Sequence, residues 1–167
     1  MIFIAAIPVF IYLMLIGFYF FCWSKLPDFS SMQKSLTTKV SVLVAVRNEE
    51  DNLPILTTCL KNQNFPKELL EIIFVNDNST DRTEEVIRNS FLRGEINHQV
   101  ISLSKNESGK KTAITKGVAN ASGDLIITTD ADCRMDADWI STIVFFLRAN
   151  KACTYCNACV VKSKNIF

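Results

Sequence analysis

Two hydrophobic regimes divide the chain. Residues 2 to 23, IFIAAIPVFIYLMLIGFYFFCW, carry no charge and no strongly polar side chain. A bilayer core is spanned by about 20 apolar residues in helix, so the stretch predicts one transmembrane helix over residues 1–23. Tyr12, Tyr19 and Trp23 suit an interfacial belt, and Pro8 and Gly17 are tolerated in such helices. A cleaved signal peptide would need a basic leading region and a small-residue cleavage site, and the stretch has neither. No Lys or Arg precedes the segment, whereas Lys25, Lys34 and Lys39 follow it. Positive residues stay on the cytoplasmic side, which predicts a single-pass N-terminal membrane anchor with the rest of the chain cytoplasmic. Residues 24–39, rich in Ser, Thr and Lys, read as a juxtamembrane linker.

From residue 40 the pattern becomes short β-branched runs alternating with amphipathic stretches. Strands are predicted at VSVLVAV (40–46), LEIIFVN (70–76), HQVISLS (98–104) and GDLIITTD (123–130). Helices are predicted in EEDNLPILTTCLKNQ, STDRTEEVIRNSFLR, GKKTAITKGVANA and DADWISTIVFFLRAN. In the last of these, Trp139, Ile140, Ile143, Val144 and Leu147 share one face. Strands alternating with helices of that length predict an α/β domain over residues 40–167, with a mostly parallel sheet flanked by helices.

Composition narrows the field only slightly. With 167 residues there is room for one modest domain, and 49% apolar content is enough for a core. A net charge of +1 and the lack of a basic stripe interleaved with aromatics give no reason to expect a nucleic-acid partner. Six cysteines in a cytoplasmic setting read as free thiols. Cys153, Cys156 and Cys159 have C-x-x-C spacing twice, yet on an extended segment Cys156 would face away from the other two. Three ligands also fall one short of a closed zinc site.

In parallel sheets, ligands sit beyond the carboxyl ends of the strands. Those ends carry Arg47, Asn48 and Glu49, then Asn76 and Asp77, then SKNESGKK, and finally Asp130 and Asp132. Neither G-x-G-x-x-G nor a Walker-type loop is present, so the commonest phosphate cradles are excluded. Four aspartates crowd residues 130–138. Asp136 and Asp138 stand at the front of the last helix, where carboxylates cap free N–H groups. Asp130 and Asp132 end a strand, where clustered carboxylates either start a helix or hold a cation.

VSVLVAVRNEEDNLP, IIFVNDNSTDRT, SGKKTAI and GDLIITTDADCRMDADW together resemble the nucleotide-sugar domain of inverting family 2 glycosyltransferases, over about residues 40–150. One D-x-D is a weak signal, but four ordered motifs at successive strand ends are a strong one. The resemblance implies a GT-A-like fold and transfer of a sugar from a nucleotide-diphospho-sugar, a UDP-sugar first among them. The acceptor it implies is a glycan or a lipid-linked one, in cell-envelope synthesis. It places Asp77 against the nucleotide base, Asp130 near the ribose or the metal, and Asp132 on Mg²⁺ or Mn²⁺. It sets Lys110 near the diphosphate, and Arg47, Asn48 and Glu49 in the loop facing the nucleotide. Each has a plainer alternative. Asp77 starts a turn, Asn48 and Glu49 cap the following helix, and Lys110 or Lys111 lies at a solvated helix start. The family's general base and Q-x-x-R-W motif lie well downstream, so the base is expected beyond residue 167. On that reading the chain is a donor half, incomplete at its C-terminus, that binds donor without transferring efficiently. A non-catalytic nucleotide-binding module of the same fold is the competing reading.

Overall fold

The computed structural model describes residues 2–25, 37–91, 94 and 96–150. The chain divides into two units, within residues 1–30 and 31–167. The three clustered cysteines Cys153, Cys156 and Cys159 lie outside the described residues, as does Lys34.

The first unit is helix α1 (Ile2–Ser24), 23 residues with Pro8 inside it. At 1.5 Å per residue it is about 34 Å long, comparable to a bilayer core. Its residues from 7 to 24 have a mean hydropathy of 1.9, and none of their side chains is buried. A helix that is apolar all round and left uncovered has no face suited to water.

The second unit is a sheet with the order β3-β2-β1-β4, all neighbours parallel. Its strands are β1 (Val40–Val46), β2 (Leu70–Asn76), β3 (Asn97–Ser102) and β4 (Leu125–Asp130). Between them run α2 (Leu53–Lys61), α3 (Thr83–Ser90) and α4 (Lys110–Asn120), and α5 (Trp139–Asn150) follows β4. Right-handed crossovers decide which face each helix covers. The chain steps from β1 to β2 to β3 in one direction, so α2 and α3 lie on one face. It then returns past β1 to β4, which puts α4 on the other.

The core follows that division with a period of two. Val42, Val44, Val46, Ile72, Phe74 and Ile127 pack with Leu53, Leu56, Leu60, Ile87 and, from α5, Ile140 and Val144. Leu43, Ile73, Val75 and Ile126 face the opposite way, toward Ala113 of α4. Strands buried on both faces are why β1 and β2 read as nearly continuous apolar runs rather than alternating ones. β3, at the edge, has no fully buried residue.

The end of the sheet remote from the strand tips is held by a buried polar network. Glu71 Oε2 accepts from Ser41 Oγ at 2.6 Å, Ser122 Oγ at 2.9 Å and Ser122 N–H at 3.0 Å. Burial pushes the Glu71 carboxyl up, but these bonds and a weaker one from Gln99 outweigh it, leaving it below its ordinary value. Gly123 N–H donates to Ser41 Oγ at 2.9 Å, so the α4–β4 turn lies directly on β1. A Cβ at Gly123 would stand 2.6 Å from Ser41 N and 2.9 Å from Val40 C, atoms of backbone that cannot rotate aside. Gly123→Ala is therefore expected to destabilise the unit by about 1–3 kcal/mol, read as a lowered thermal midpoint.

The residues nearest β1 depart from the linker expected over 24–39. Lys39 O accepts from Asp124 N–H at 2.9 Å and Leu125 N–H at 3.1 Å, and Thr37 Oγ1 accepts from Arg148 at 2.6 Å. Residues 37–39 are already part of the folded unit.

Candidate functional site

Parallel register brings the strand tips to one rim: Val46 pairs with Asn76, and Ala45 with Asp130. The connections reverse direction between β1 and β4, and a crevice opens at such a switch point. Here it is a cleft of about 410 Å³ lined by Arg47, Glu49, Asp77, Gly109, Lys110, Asp130, Ala131 and Asp132, with Ala45 and Val46 as its floor.

Asp77 extends the β1–β2 ladder by one bond, its N–H donating to Val46 O at 2.9 Å. Its side chain is only 8% exposed. Oδ2 accepts from Gly109 N–H at 2.9 Å and from Arg47 Nη1 at 3.4 Å. Oδ1 is buried with no partner. A buried acceptor left unsatisfied costs about 1–3 kcal/mol. Asp77 thus carries a fixed, unspent acceptor for an N–H donor, which a residue that merely started a turn would not need.

The loops around Asp77 are stitched together. Asn48 adopts φ 54°, a left-handed conformation that Asn tolerates better than most residues. Its Oδ1 accepts Thr80 N–H at 2.8 Å, and its own N–H donates to Ser79 Oγ at 3.1 Å. Glu49 N–H donates to Thr83 Oγ1 at 2.8 Å, Glu50 N–H to Asp81 Oδ2 at 3.1 Å, and Arg82 N–H returns to Glu50 Oε2 at 2.9 Å. Slight burial pushes the Asp81 carboxyl up, but bonds from Thr83 and Glu50 more than offset it and hold it below its ordinary value. Asn48 therefore braces residues 79–80 and is not among the residues lining the cleft, whereas its neighbours Arg47 and Glu49 are. Glu49 does not cap α2 with its carboxylate; its backbone carbonyl accepts Asn52 and Leu53 N–H, and its Oε2 accepts from Asn52 Nδ2 at 2.8 Å.

The β3–α4 loop is braced in the same manner. Asn78, also at φ 54°, donates from Nδ2 to Glu107 O at 2.9 Å. Lys116 Nζ donates to Glu107 Oε2 at 3.0 Å, as do Ser104 Oγ at 2.8 Å and Ser104 N–H at 3.1 Å. Lys116 first, then Ser104, hold the Glu107 carboxyl down to about 2. A depressed carboxyl adds stability that is complete above its ordinary value of 4.5 and is lost as pH falls toward 2. Stability is expected to fall less steeply across that window in Glu107→Gln than in the wild type, as read by urea unfolding at stepped pH.

This loop delivers Gly109 and Lys110. Gly109 has φ 98°, a conformation that glycine alone adopts readily, and α4 begins directly after it. Lys110 Nζ lies 2.6 Å from Asp130 Oδ1, the two side chains 63% and 54% exposed. Lys110, and not Lys111, lines the cleft. Asp132 is exposed at the same rim. No three His, Cys, Asp or Glu side chains converge as a closed metal site among the described residues. Two exposed carboxylates match a hard cation whose remaining ligands are phosphate oxygens and water.

Asp136 and Asp138 do not cap α5 with their carboxylates. The free N–H of Ile140 donates instead to Gln63 Oε1 at 3.0 Å, and Gln63 Nε2 donates to Asp136 O at 2.7 Å. Asp138 Oδ1 accepts from Asn64 Nδ2 at 2.9 Å. The end of α2 thus anchors the chain that follows Asp132.

The family profile described as "Glycosyl transferase family 2" matches residues 41–166. The chain is 37% identical over 109 residues to "Probable glycosyltransferase YdaM" of Bacillus subtilis (strain 168), covering 65% of this chain and 26% of that protein. It is 34% identical over 107 residues to the undecaprenyl-phosphate 4-deoxy-4-formamido-L-arabinose transferase of Proteus mirabilis (strain HI4320), covering 64% and 32%. The chain therefore spans a third or less of these relatives. Among solved structures, the mannosyltransferase PcManGT of Pyrobaculum calidifontis, in complex with GDP-Man and Mn²⁺, superposes with a TM-score of 0.70 at 23% identity, over 80% of this chain and 39% of that one. S. aureus TarS 1-349 in complex with UDP-GlcNAc gives a TM-score of 0.61 at 27% identity, over 68% and 32%. The GT-A-like fold expected from sequence is the fold observed.

Proposed function

Because the chain belongs to glycosyl transferase family 2, we propose that its cleft holds the nucleoside diphosphate of a sugar donor, with a divalent cation, in a membrane-anchored glycosyltransferase. The observation that carries this reading is Asp77, whose carboxylate keeps one unpartnered oxygen, lining the same cleft as Lys110 and Asp130. A base with an N–H edge satisfies that oxygen, and a diphosphate answers the positive charge of the Lys110 ammonium.

On this reading Asp77 accepts a hydrogen bond from the base, which favours uracil, thymine or guanine over cytosine, whose ring nitrogen is itself an acceptor. Arg47 holds the Asp77 carboxylate in place, and Glu49 lines the cleft beside it. Asn48 fixes the loop that carries both. Lys110 faces the diphosphate. Asp130 and Asp132 hold Mg²⁺ or Mn²⁺, which neutralises charge developing on the leaving group when bound. In the transfer itself, the acceptor oxygen bonds to the anomeric carbon while the bond from that carbon to the diphosphate oxygen breaks. The electron pair leaves with the diphosphate, and the acceptor proton passes to a general base.

Helix α1 is assigned as the membrane anchor, and Lys25 beyond its end favours a cytoplasmic catalytic unit. A lipid-linked acceptor or a growing cell-envelope glycan suits an enzyme so tethered; the P. mirabilis relative is named for an undecaprenyl-phosphate substrate.

The test is the thermal midpoint of the chain in detergent micelles with UDP, GDP, CDP and dTDP, each with and without Mn²⁺. A ligand of the folded state at 100 times its Kd adds about 2.7 kcal/mol, a rise of several degrees. One nucleotide whose base carries a ring N–H (UDP, GDP or dTDP) is expected to give that rise, more with Mn²⁺ than without. A folded sample unmoved by all of them overturns the donor site and leaves a non-catalytic module.

A further inference from the structure

This inference rests on the donor-site reading and concerns the order in which its parts assemble. Lys110 Nζ and Asp130 Oδ1 are 2.6 Å apart, so the ammonium stands where a cation held by that oxygen would be. A divalent cation at that oxygen would stand directly against the ammonium, and their repulsion weakens the binding of either. The pair is also easily exchanged, since both side chains are more than half exposed and such pairs contribute little. Lysine is a point charge on a flexible stem, and a diphosphate offers it a stronger partner than one carboxylate. The backbone of Gly109, just before it, is held by Asp77, so the ammonium can swing while its anchor stays. Asp77 itself is buried and positioned independently of any metal, which lets a base dock first.

We propose that Lys110 is the resident counter-ion of Asp130, and that it releases the carboxylate only when a nucleoside diphosphate draws the ammonium away. Nucleotide and divalent cation then bind cooperatively, nucleotide first. Linkage makes the effect reciprocal: whatever factor the nucleotide adds to cation affinity, the cation adds to nucleotide affinity.

The experiment measures Mn²⁺ affinity from the electron paramagnetic resonance of free Mn²⁺, corrected for the Mn²⁺ held by free nucleotide. The chain is held in detergent micelles with no nucleotide, with UDP or with GDP. In the wild type, the nucleotide that binds is expected to tighten Mn²⁺ by about tenfold or more, within the usual range of coupling between sites. In Lys110→Met, Mn²⁺ alone is expected to bind about 3- to 20-fold more tightly, the scale of a unit charge a few ångströms away at an exposed site, and the nucleotide's added factor to shrink by a similar amount, leaving only what phosphate ligation of the cation supplies. Lys111→Met removes an equal charge that does not pair with Asp130 and is expected to change either quantity by less than about threefold. Mn²⁺ affinity unchanged or weakened in Lys110→Met, with wild-type coupling intact, overturns the inference and leaves the donor site standing. Independent binding of the two ligands to the wild type does the same. If the wild type binds neither, the donor site falls and this inference with it.

Discussion

Replacing Asp77 with alanine is expected to weaken nucleoside diphosphate binding by about 10- to 100-fold, the worth of a hydrogen bond to a charged acceptor in a dry site. The carboxylate does two jobs at once. Oδ2 accepts from Gly109 N–H and Arg47 Nη1, while Oδ1 is buried and unpartnered. Alanine removes both, so loop 104–109 loosens as the base contact disappears. Asp77→Asn separates the two effects. Its oxygen can keep the bond to Gly109 while its amide nitrogen takes the place of Oδ1 and turns an acceptor into a donor. Affinity for UDP and GDP is then expected to fall by a similar factor, and the preference to shift toward CDP, as read by titration calorimetry across the four nucleotides. Equal losses across all bases in Asp77→Asn would mean that Asp77 reads no base edge and serves only the loop.

The second large effect belongs to Asp132. Asp132→Ala removes one of the two carboxylates at the strand tip and is expected to weaken Mn²⁺-dependent nucleotide binding by about tenfold or more, each decade being about 1.4 kcal/mol. Nucleotide binding measured without metal is expected to change by less than about threefold. The side chain is exposed, so the thermal midpoint of the unliganded chain should stay within about a degree, as is usual for surface substitutions. An unchanged metal dependence would move the cation away from the strand tip.

Much of this architecture was legible along the chain because the burial is two-sided. β1 and β2 coincide with the apolar runs 40–46 and 70–76, since each strand is packed by helices on both faces and has no polar face to blur its limits. β3 is displaced to 97–102 from its run 98–104, and β4 begins two residues into its run 123–130, as the ends are set by pairing rather than by hydrophobicity. The strand order was not legible, because it depends on which way each crossover returns. The acidic and basic residues of the rim were found because strand tips are where ligands bind, and Arg47, Glu49, Asp77, Lys110, Asp130 and Asp132 do converge on one cleft.

Where sequence reasoning failed, the partner was distant along the chain. Asp136 and Asp138 looked like helix caps because they precede α5, but Gln63, 77 residues before Ile140, takes that N–H. Asn48, set by the resemblance in the loop facing the nucleotide or else at a helix cap, reaches 32 residues ahead to Thr80. One available signal pointed to that role. Asn48 and Asn78 each stand two residues past the end of a strand, where a left-handed turn residue reverses the chain. Glu107 went unnoticed because a lone glutamate in a polar loop gives no sign of the Ser104 and Lys116 that surround it. The choice between Lys110 and Lys111 needed the helix start itself, which Gly109 sets.

The central claim is that four loops at the carboxyl ends of these strands form one donor site. Hydrogen–deuterium exchange on the chain in micelles tests it most directly, comparing the free protein with one saturated by the best-binding nucleotide and Mn²⁺. Protection is expected in backbone amides of residues 46–50, 77–83, 105–111 and 130–134 together, and the Ser41–Glu71–Ser122 end of the sheet should be unchanged. Protection confined to that opposite end, or spread over α1 alone, would contradict a donor site at the rim.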